Sequence, residues 1–330
     1  MAYTTIDDPE AYFQIKNYTG EHGSGAGTSA ITFDGTTNMQ PDLVWIKTRS
    51  NSANHQLHHS LATEAYHYFK PNDSAAETTS NTSALQSFDS DGFTLGSDGV
   101  INEDGYTYVA WCWKESTTAG LDIIHYTGTG SGTTVSHGLS AKPGWMLAKN
   151  RGATGGWMMW HQNLPDTGDK VLYFHLTSAM QDEQMFNDTE PTSSVFSVSA
   201  DSNLSSNTYT AFIWAEKQGF SKFGTYEGNG DANGPYVWTG FKPKLVIFKS
   251  IDSTAGAYIV PSKTDWLNGN TYWAYVYSST TESNAAFVDF HANGFKLRKN
   301  DDINNSETYV YMAFAEAPFV NSKGVPCTAR

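Results

Sequence analysis

Apolar residues along this chain fall in short runs of four to seven positions, broken by Gly, Asn, Asp and Ser. Three patterns recur in the same order. An aromatic-x-Gly turn appears as Tyr18-Thr19-Gly20, Tyr126-Thr127-Gly128 and Tyr226-Glu227-Gly228. A proline, an apolar run and a lysine follow, as Pro41 to Lys47, Pro143 to Lys149 and Pro243 to Lys249. The third begins Thr-Tyr and ends in glutamate, from Thr107 to Glu115, Thr208 to Glu216 and Thr308 to Glu316. A weaker Phe-x-apolar step precedes it at Phe93, Phe196 and Phe295.

The alternation predicts strands. Counting from the tyrosine of the third pattern, every second residue is mostly large: Val109, Trp111 and Trp113; Thr210, Phe212 and Trp214; Val310, Met312 and Phe314. With a period of two these share one face, the predicted core face, and the opposite face is packed more tightly. The proline strand is apolar on both faces, which reads as burial between layers. Its proline stands at the strand start, where a missing N–H costs least. Turn residues this dense between short strands are an all-β signature. The best helical segments, 60–66 and 178–186, are short and lack a long apolar stripe.

The patterns repeat at roughly 100 residues, the size of a small domain and too long for a solenoid or propeller blade. The expected fold is therefore all-β: three tandem β-sandwich domains, jelly-roll or lectin-like, related by internal repeat. The expected boundaries are 1–117 with an N-terminal extension, 118–218, and 219–330 with a C-terminal tail.

Composition narrows the function classes. Aromatic residues make up 14% of the 330 residues and charged residues only 16%, the reverse of a disordered chain. A net charge of −14 speaks against nucleic-acid binding, which needs a basic footprint. No apolar run is long enough for a spanning helix, so no membrane insertion is expected. The opening residues lack the basic and apolar regions of a secretion signal. Two cysteines, Cys112 and Cys327, supply neither a disulfide framework nor a metal knuckle.

The candidate chemistry is sparse. Glu115, Glu216 and Glu316 occupy equivalent positions, one per unit, whereas a glycosidase needs two carboxylates about 5–10 Å apart. They read as strand-end or interface residues. Lys47, Lys149 and Lys249 are equivalent too, and a lysine–glutamate contact within each unit is the expectation. His55, His58 and His59 lack the further ligands of a zinc site, so no metal is assigned. The turns at Asp89–Gly92 and Asn102–Gly105 are where calcium would find oxygen ligands, but Asx-turns account for them without an ion, and no cofactor is expected. Exposed aromatics among Trp157, Trp160, Trp238, Trp266, Tyr272 and Trp273 are candidates for stacking sugar rings. The loop with Trp266, Asn268, Asn270, Tyr272 and Trp273 combines aromatic faces with side-chain amides and is the candidate glycan site.

The opening Met1 to Phe13, the stretch Phe88 to Gly96 and the ending Met312 to Phe319 resemble a family of proteins encoded by tailed phages of marine bacteria, cyanophages and pelagiphages especially. These carry a repeated domain of unknown function and are labelled virion structural or tail-fibre-like. The resemblance implies a non-enzymatic surface component of a virion, made in the host cytoplasm: a tail fibre, an adhesin or a head-decoration protein. Its partners would be other virion proteins, further copies of itself in a symmetric oligomer such as a trimer, and a host surface glycan. The alternative from another class is a polysaccharide depolymerase or a glycan-binding module array.

Overall fold

The structure, a computed structural model, describes residues 2–22, 25–166, 168–262, 271–300 and 303–327. Within them the chain is all-β and antiparallel, with a single 3-10 turn at Pro9–Ala11 and one helical turn at Gly99–Asn102. Segments 60–66 and 178–186 are not helices. They form turns, the second with the short strand Gln181–Asp182.

One strand order appears three times. The first large sheet runs Phe13–Thr19, Thr107–Trp113, Leu43–Thr48, Gln56–His59. The second runs Leu121–Thr127, Thr208–Trp214, Trp145–Asn150, Met158–His161, then Lys170–Tyr173 and Gln181–Asp182. The third runs Ser221–Glu227, Thr308–Pro318, Phe241–Ser250, Tyr258–Pro261, then Thr271–Tyr275 and Ser283–Ala285. A small sheet accompanies each: Ser29–Thr32 with Gly92–Leu95 and Leu85–Asp89; Thr133–Ser136 with Val195–Val198; Tyr236–Trp238 with Gly294–Leu297 and Val288–His291.

The recurring residues have identifiable tasks. The tyrosine of each aromatic-x-Gly turn lies opposite the tyrosine of the Thr-Tyr strand. The two rings stack, Tyr18 on Tyr108 at 5.1 Å, Tyr126 on Tyr209 at 4.9 Å and Tyr226 on Tyr309 at 5.0 Å. The glycine after each pair lets two backbones touch. A Cβ on Gly20, Gly128 or Gly228 would lie 2.1, 2.0 or 1.9 Å from the carbonyl oxygen of Glu103, Leu204 or Asn305. A buried asparagine, Asn102, Asn203 or Asn304, then pins the turn, its Oδ1 accepting from the N–H of Glu21, Thr129 or Asn229.

The bulky faces of the Thr-Tyr strands turn to one shared centre. Trp45, Trp111 and Trp113 meet Trp145, Phe212 and Trp214 there, together with Met312 and Phe314. Trp113 lies 6.3 Å from Trp214 and 5.5 Å from Phe314, joining all three thirds of the chain. The opposite faces fill cores that the first two large sheets share with their small sheets. Val44, Tyr108, Ala110 and Cys112 pack with Phe93 and Leu95, and Met146, Ala211 and Ile213 with Phe196 and Val198. In the last third both faces belong to one continuous cluster. So the large-residue face, expected to be a sandwich interior, is the seam between thirds.

The N-terminal segment lies on the last third. The Tyr3 hydroxyl donates to the Gly240 carbonyl, Glu10 pairs with Lys244 at 3.1 Å, and Asp7 accepts from the Ser322 N–H and hydroxyl.

Candidate functional site

The three equivalent lysines are fully buried and each clasps a different third of the chain. Lys149 Nζ donates to the Ser74 carbonyl and to Gly155, each at 2.9 Å. Lys249 Nζ donates to Leu176 at 3.0 Å, Ser178 at 3.2 Å and Ala255 at 3.3 Å. Lys47 Nζ donates to Thr48 at 2.9 Å and Ser279 at 3.3 Å. The second third thus holds the first, the last holds the second, and the first holds the last. Burial pushes each ammonium from 10.5 down to about 8, with Glu282 opposing this at Lys47 and Asp73 at Lys149.

Neighbouring groups strengthen the same joints. Trp157 Nε1 donates to the carbonyls of Lys70 and Asp73. His55 accepts from Trp45 Nε1 at Nδ1 and donates from Nε2 to the carbonyls of Tyr275 and Ser278. Arg49 pairs with Glu282 at 2.7 Å and Arg151 with Glu77 at 2.9 Å. At the third joint the link is made by main chain, the Met180 N–H donating to the Ile251 carbonyl.

The expected lysine–glutamate contact within each unit is replaced by these clasps. Antiparallel register is the reason. Lys47 lies opposite Val109 and Leu43 opposite Trp113, so the lysine and Glu115 leave opposite ends of the sheet. The same holds for Lys149 and Lys249. The glutamates serve elsewhere. Glu216 pairs with Lys222 at 2.9 Å and accepts from the Phe223 N–H, and Glu316 pairs with Lys242 at 2.9 Å. Glu115 accepts from the Ile123 N–H, while burial, with Asp122 and Asp42 beside it, pushes its carboxyl up to about 7.

Of the candidate glycan loop, Trp266, Asn268 and Asn270 lie outside the described residues. Trp273 is buried and stacks on Phe287 at 4.1 Å, so its ring is used by the interior and offers no face to a sugar. Tyr272 is half-buried beneath the Arg49 guanidinium at 5.4 Å. Trp157 and Trp160 are buried as well. His55 and His58 are hydrogen-bonded to protein, His59 is stacked on Phe69 with Nε2 3.8 Å from a Glu77 carboxylate oxygen, and Asp89 accepts from Ser87 and Thr94. Among the described residues no group of three His, Cys, Asp or Glu could hold a metal ion.

Trp238 is different, being 55% exposed, and Tyr236 on the same face of its strand is 44% exposed. Glycines seat both rings. A Cβ on Gly240 would fall 3.0 Å from the Trp238 ring, and one on Gly294 would fall 2.7 Å from the Tyr236 hydroxyl. Tyr236 donates to Asn293 Oδ1 and meets the His291 ring edge-on at 5.6 Å. Lys296 stands across from Tyr236, with Asp289 beyond it, paired to Arg298 at 3.1 Å. Sequence reasoning named Trp238 among the exposed aromatics but not Tyr236. The alternation Tyr236-Val237-Trp238, with only the valine buried, is the signal for the pair.

No curated protein and no solved structure matches the chain. Residues 8–318 match the model of a domain of unknown function, DUF7483, in one stretch that takes in all three large sheets, and the chain belongs to that family.

Proposed function

We propose that the chain is a non-enzymatic surface protein of a tailed-phage virion, a tail fibre, adhesin or head-decoration protein, acting by multivalent binding and particle assembly. In this reading it consists of three tandem β-sandwich units related by internal repeat. One observation carries it: the side chains best suited to chemistry are taken up in joining the thirds of the chain. Lys47, Lys149, Lys249, His55 and Trp157 all hold main-chain carbonyls across the joints. Such a body is a scaffold whose thirds meet at their bulky faces and carry the small sheets on the opposite faces. The resemblance of its opening, Phe88–Gly96 stretch and ending to virion proteins supports the same reading. Its partners are other virion proteins, further copies of itself in a symmetric oligomer with three as the favoured number, and a host surface glycan. Several copies on one particle would multiply weak contacts through effective concentration.

The test is antibody labelling of intact particles of the phage that encodes the chain. Label at the tail tip, with adsorption blocked, identifies an adhesin, and label over the head identifies a decoration protein. Particles without label overturn the reading.

A second reading, a polysaccharide depolymerase, is favoured by one observation. Burial, with Asp122 beside it, pushes the Glu115 carboxyl up to about 7, the direction a general acid requires. Reducing-end release from polysaccharide that disappears in E115Q would establish it.

A further inference from the structure

We propose that the outer face of the small sheet in the last third, Tyr236 with Trp238, is a platform for the pyranose rings of a polysaccharide. This site rests on the reading of the chain as a binding protein and gives that reading a location and a ligand class.

The equivalent sheets of the other thirds lack the two rings. Tyr236 pairs with Lys296 and Trp238 with Gly294. In the first third the same register pairs Ala30 with Thr94 and Thr32 with Gly92. In the second it pairs Thr134 with Ser197 and Ser136 with Val195. Two of the three small sheets therefore form with Ala, Thr or Ser where the last has Tyr and Trp. The scaffold does not need the two rings, which leave aromatic surface open to water that the other two small sheets do without.

Their geometry suits a sugar chain. Residues two apart on a strand project to one side about 7 Å apart. Gly240 and Gly294 leave room for the outer edge of the Trp238 indole and the hydroxyl end of Tyr236, and about half of each residue stays open to solvent. Tyr236 is further held by Asn293 and His291. Two aromatic faces fixed in this way match the C–H face of successive sugar rings. Asn293, Lys296 and the Asp289–Arg298 pair border them, supplying donors and acceptors for ring hydroxyls.

Size and charge select among occupants. Two half-exposed rings, each of about 150–250 Å² in full, open on the order of 200 Å², against about 800 Å² per partner in a stable protein interface. A second copy or a protein partner would need far more apolar surface than this face provides. Lys296 and Arg298 outnumber Asp289 here, in a chain of net charge −14, so the face accepts neutral or acidic sugars.

The experiment is affinity electrophoresis of the full chain through gels containing hydroxyethyl cellulose, a galactan or polygalacturonate, for the wild type, W238T and Y236A/W238T. The double variant installs the residues of the first third, so its melting temperature should match the wild type. The expected result is retardation by at least one polymer, weakened about tenfold or more in W238T. Retardation by polygalacturonate alone, reduced in K296A, assigns acidic rings; retardation by a neutral polymer assigns stacking on neutral ones. Retardation that survives both variants overturns the platform but leaves a glycan-binding protein with its site elsewhere. No retardation in any gel overturns the platform, and particle labelling then decides the virion reading on its own. A wild-type dimer that W238T dissolves would also overturn it, in favour of a second copy.

Discussion

Lys149 reaches the carbonyl oxygen of Ser74 at 2.9 Å, across 75 residues of chain and from one large sheet to the segment beside another. The contact is buried, charge-assisted and matched at two further joints by Lys249 and Lys47. Its removal should be felt at the joint rather than within a sheet. K149M keeps the apolar stem, removes the donor to the half-buried Gly155 carbonyl and leaves the Ser74 carbonyl only the Gly155 N–H. The expected loss is about 1–3 kcal/mol in urea unfolding, the cost of a charge-assisted hydrogen bond and an acceptor left short of a partner. Hydrogen exchange should show the opening first around residues 74–78, where the Glu77 N–H bonds to Arg151. Unchanged protection there would show that the clasp does not hold the joint.

The same lysines set an alkaline dependence of unusual sign. Each titrates near 8 in the folded chain and near 10.5 when unfolded. Between these values the unfolded state binds more protons, so stability rises with pH. Urea midpoints should increase from pH 8 to about 10. Above that, ionisation of unfolded tyrosines reverses the trend, since Tyr108 is pushed up to about 12 in the fold. K149M should flatten the rise, and a midpoint falling steadily from pH 8 would contradict it.

Acid acts through buried histidines. Burial pushes His58 and His161 down to about 4 and His55 down to about 3, from 6.5. A group depressed in the fold contributes stability that is fully present above its unfolded value and lost as pH falls toward its folded one. Stability should therefore decline from pH 6.5 to 4, with unfolding in that window taking up protons. Glu115 has the opposite sign, raised to about 7, and contributes stability below 4.5 that is lost by pH 7. Calorimetry in buffers of different ionisation enthalpy measures the net uptake, and a release of protons near pH 5 would refute the sign.

Gly128 should be among the least replaceable residues. A Cβ there would stand 2.0 Å from the Leu204 carbonyl oxygen, a backbone atom that cannot rotate aside. G128A should cost on the order of 3 kcal/mol, in the tail of single-substitution effects. Gly152, whose Cβ would meet nothing within 4 Å, is the control: G152A should leave the melting temperature nearly unchanged.

Strand identity was legible because it is local. The alternation through Tyr108–Trp113 marks one bulky and one compact face whatever lies beyond them. What faced them was not legible. Trp111 and Trp113 would look the same on a private sandwich core and on a seam shared with Trp214 and Phe314. Lys47 and Glu115 shared a unit on paper, but antiparallel pairing sends them to opposite ends of the sheet. The ring of Trp273 satisfied every compositional criterion for a sugar contact and is stacked on Phe287 instead. Exposure depends on distant chain, and a sequence pattern carries only the near neighbours.

The cyclic clasp has a consequence for synthesis. Lys47 and His55 find their partners at residues 275–279, so the first third leaves the ribosome with this cation and a tryptophan-lined flank still uncovered. The second third can lock onto the first as it emerges, through Lys149 and Ser74. Closure must wait for the last. Contacts of such long sequence separation form slowly, and a nascent chain with an open flank is exposed to association with its neighbours on a polysome. A stop codon placed after the second third would strand the protein in that state permanently.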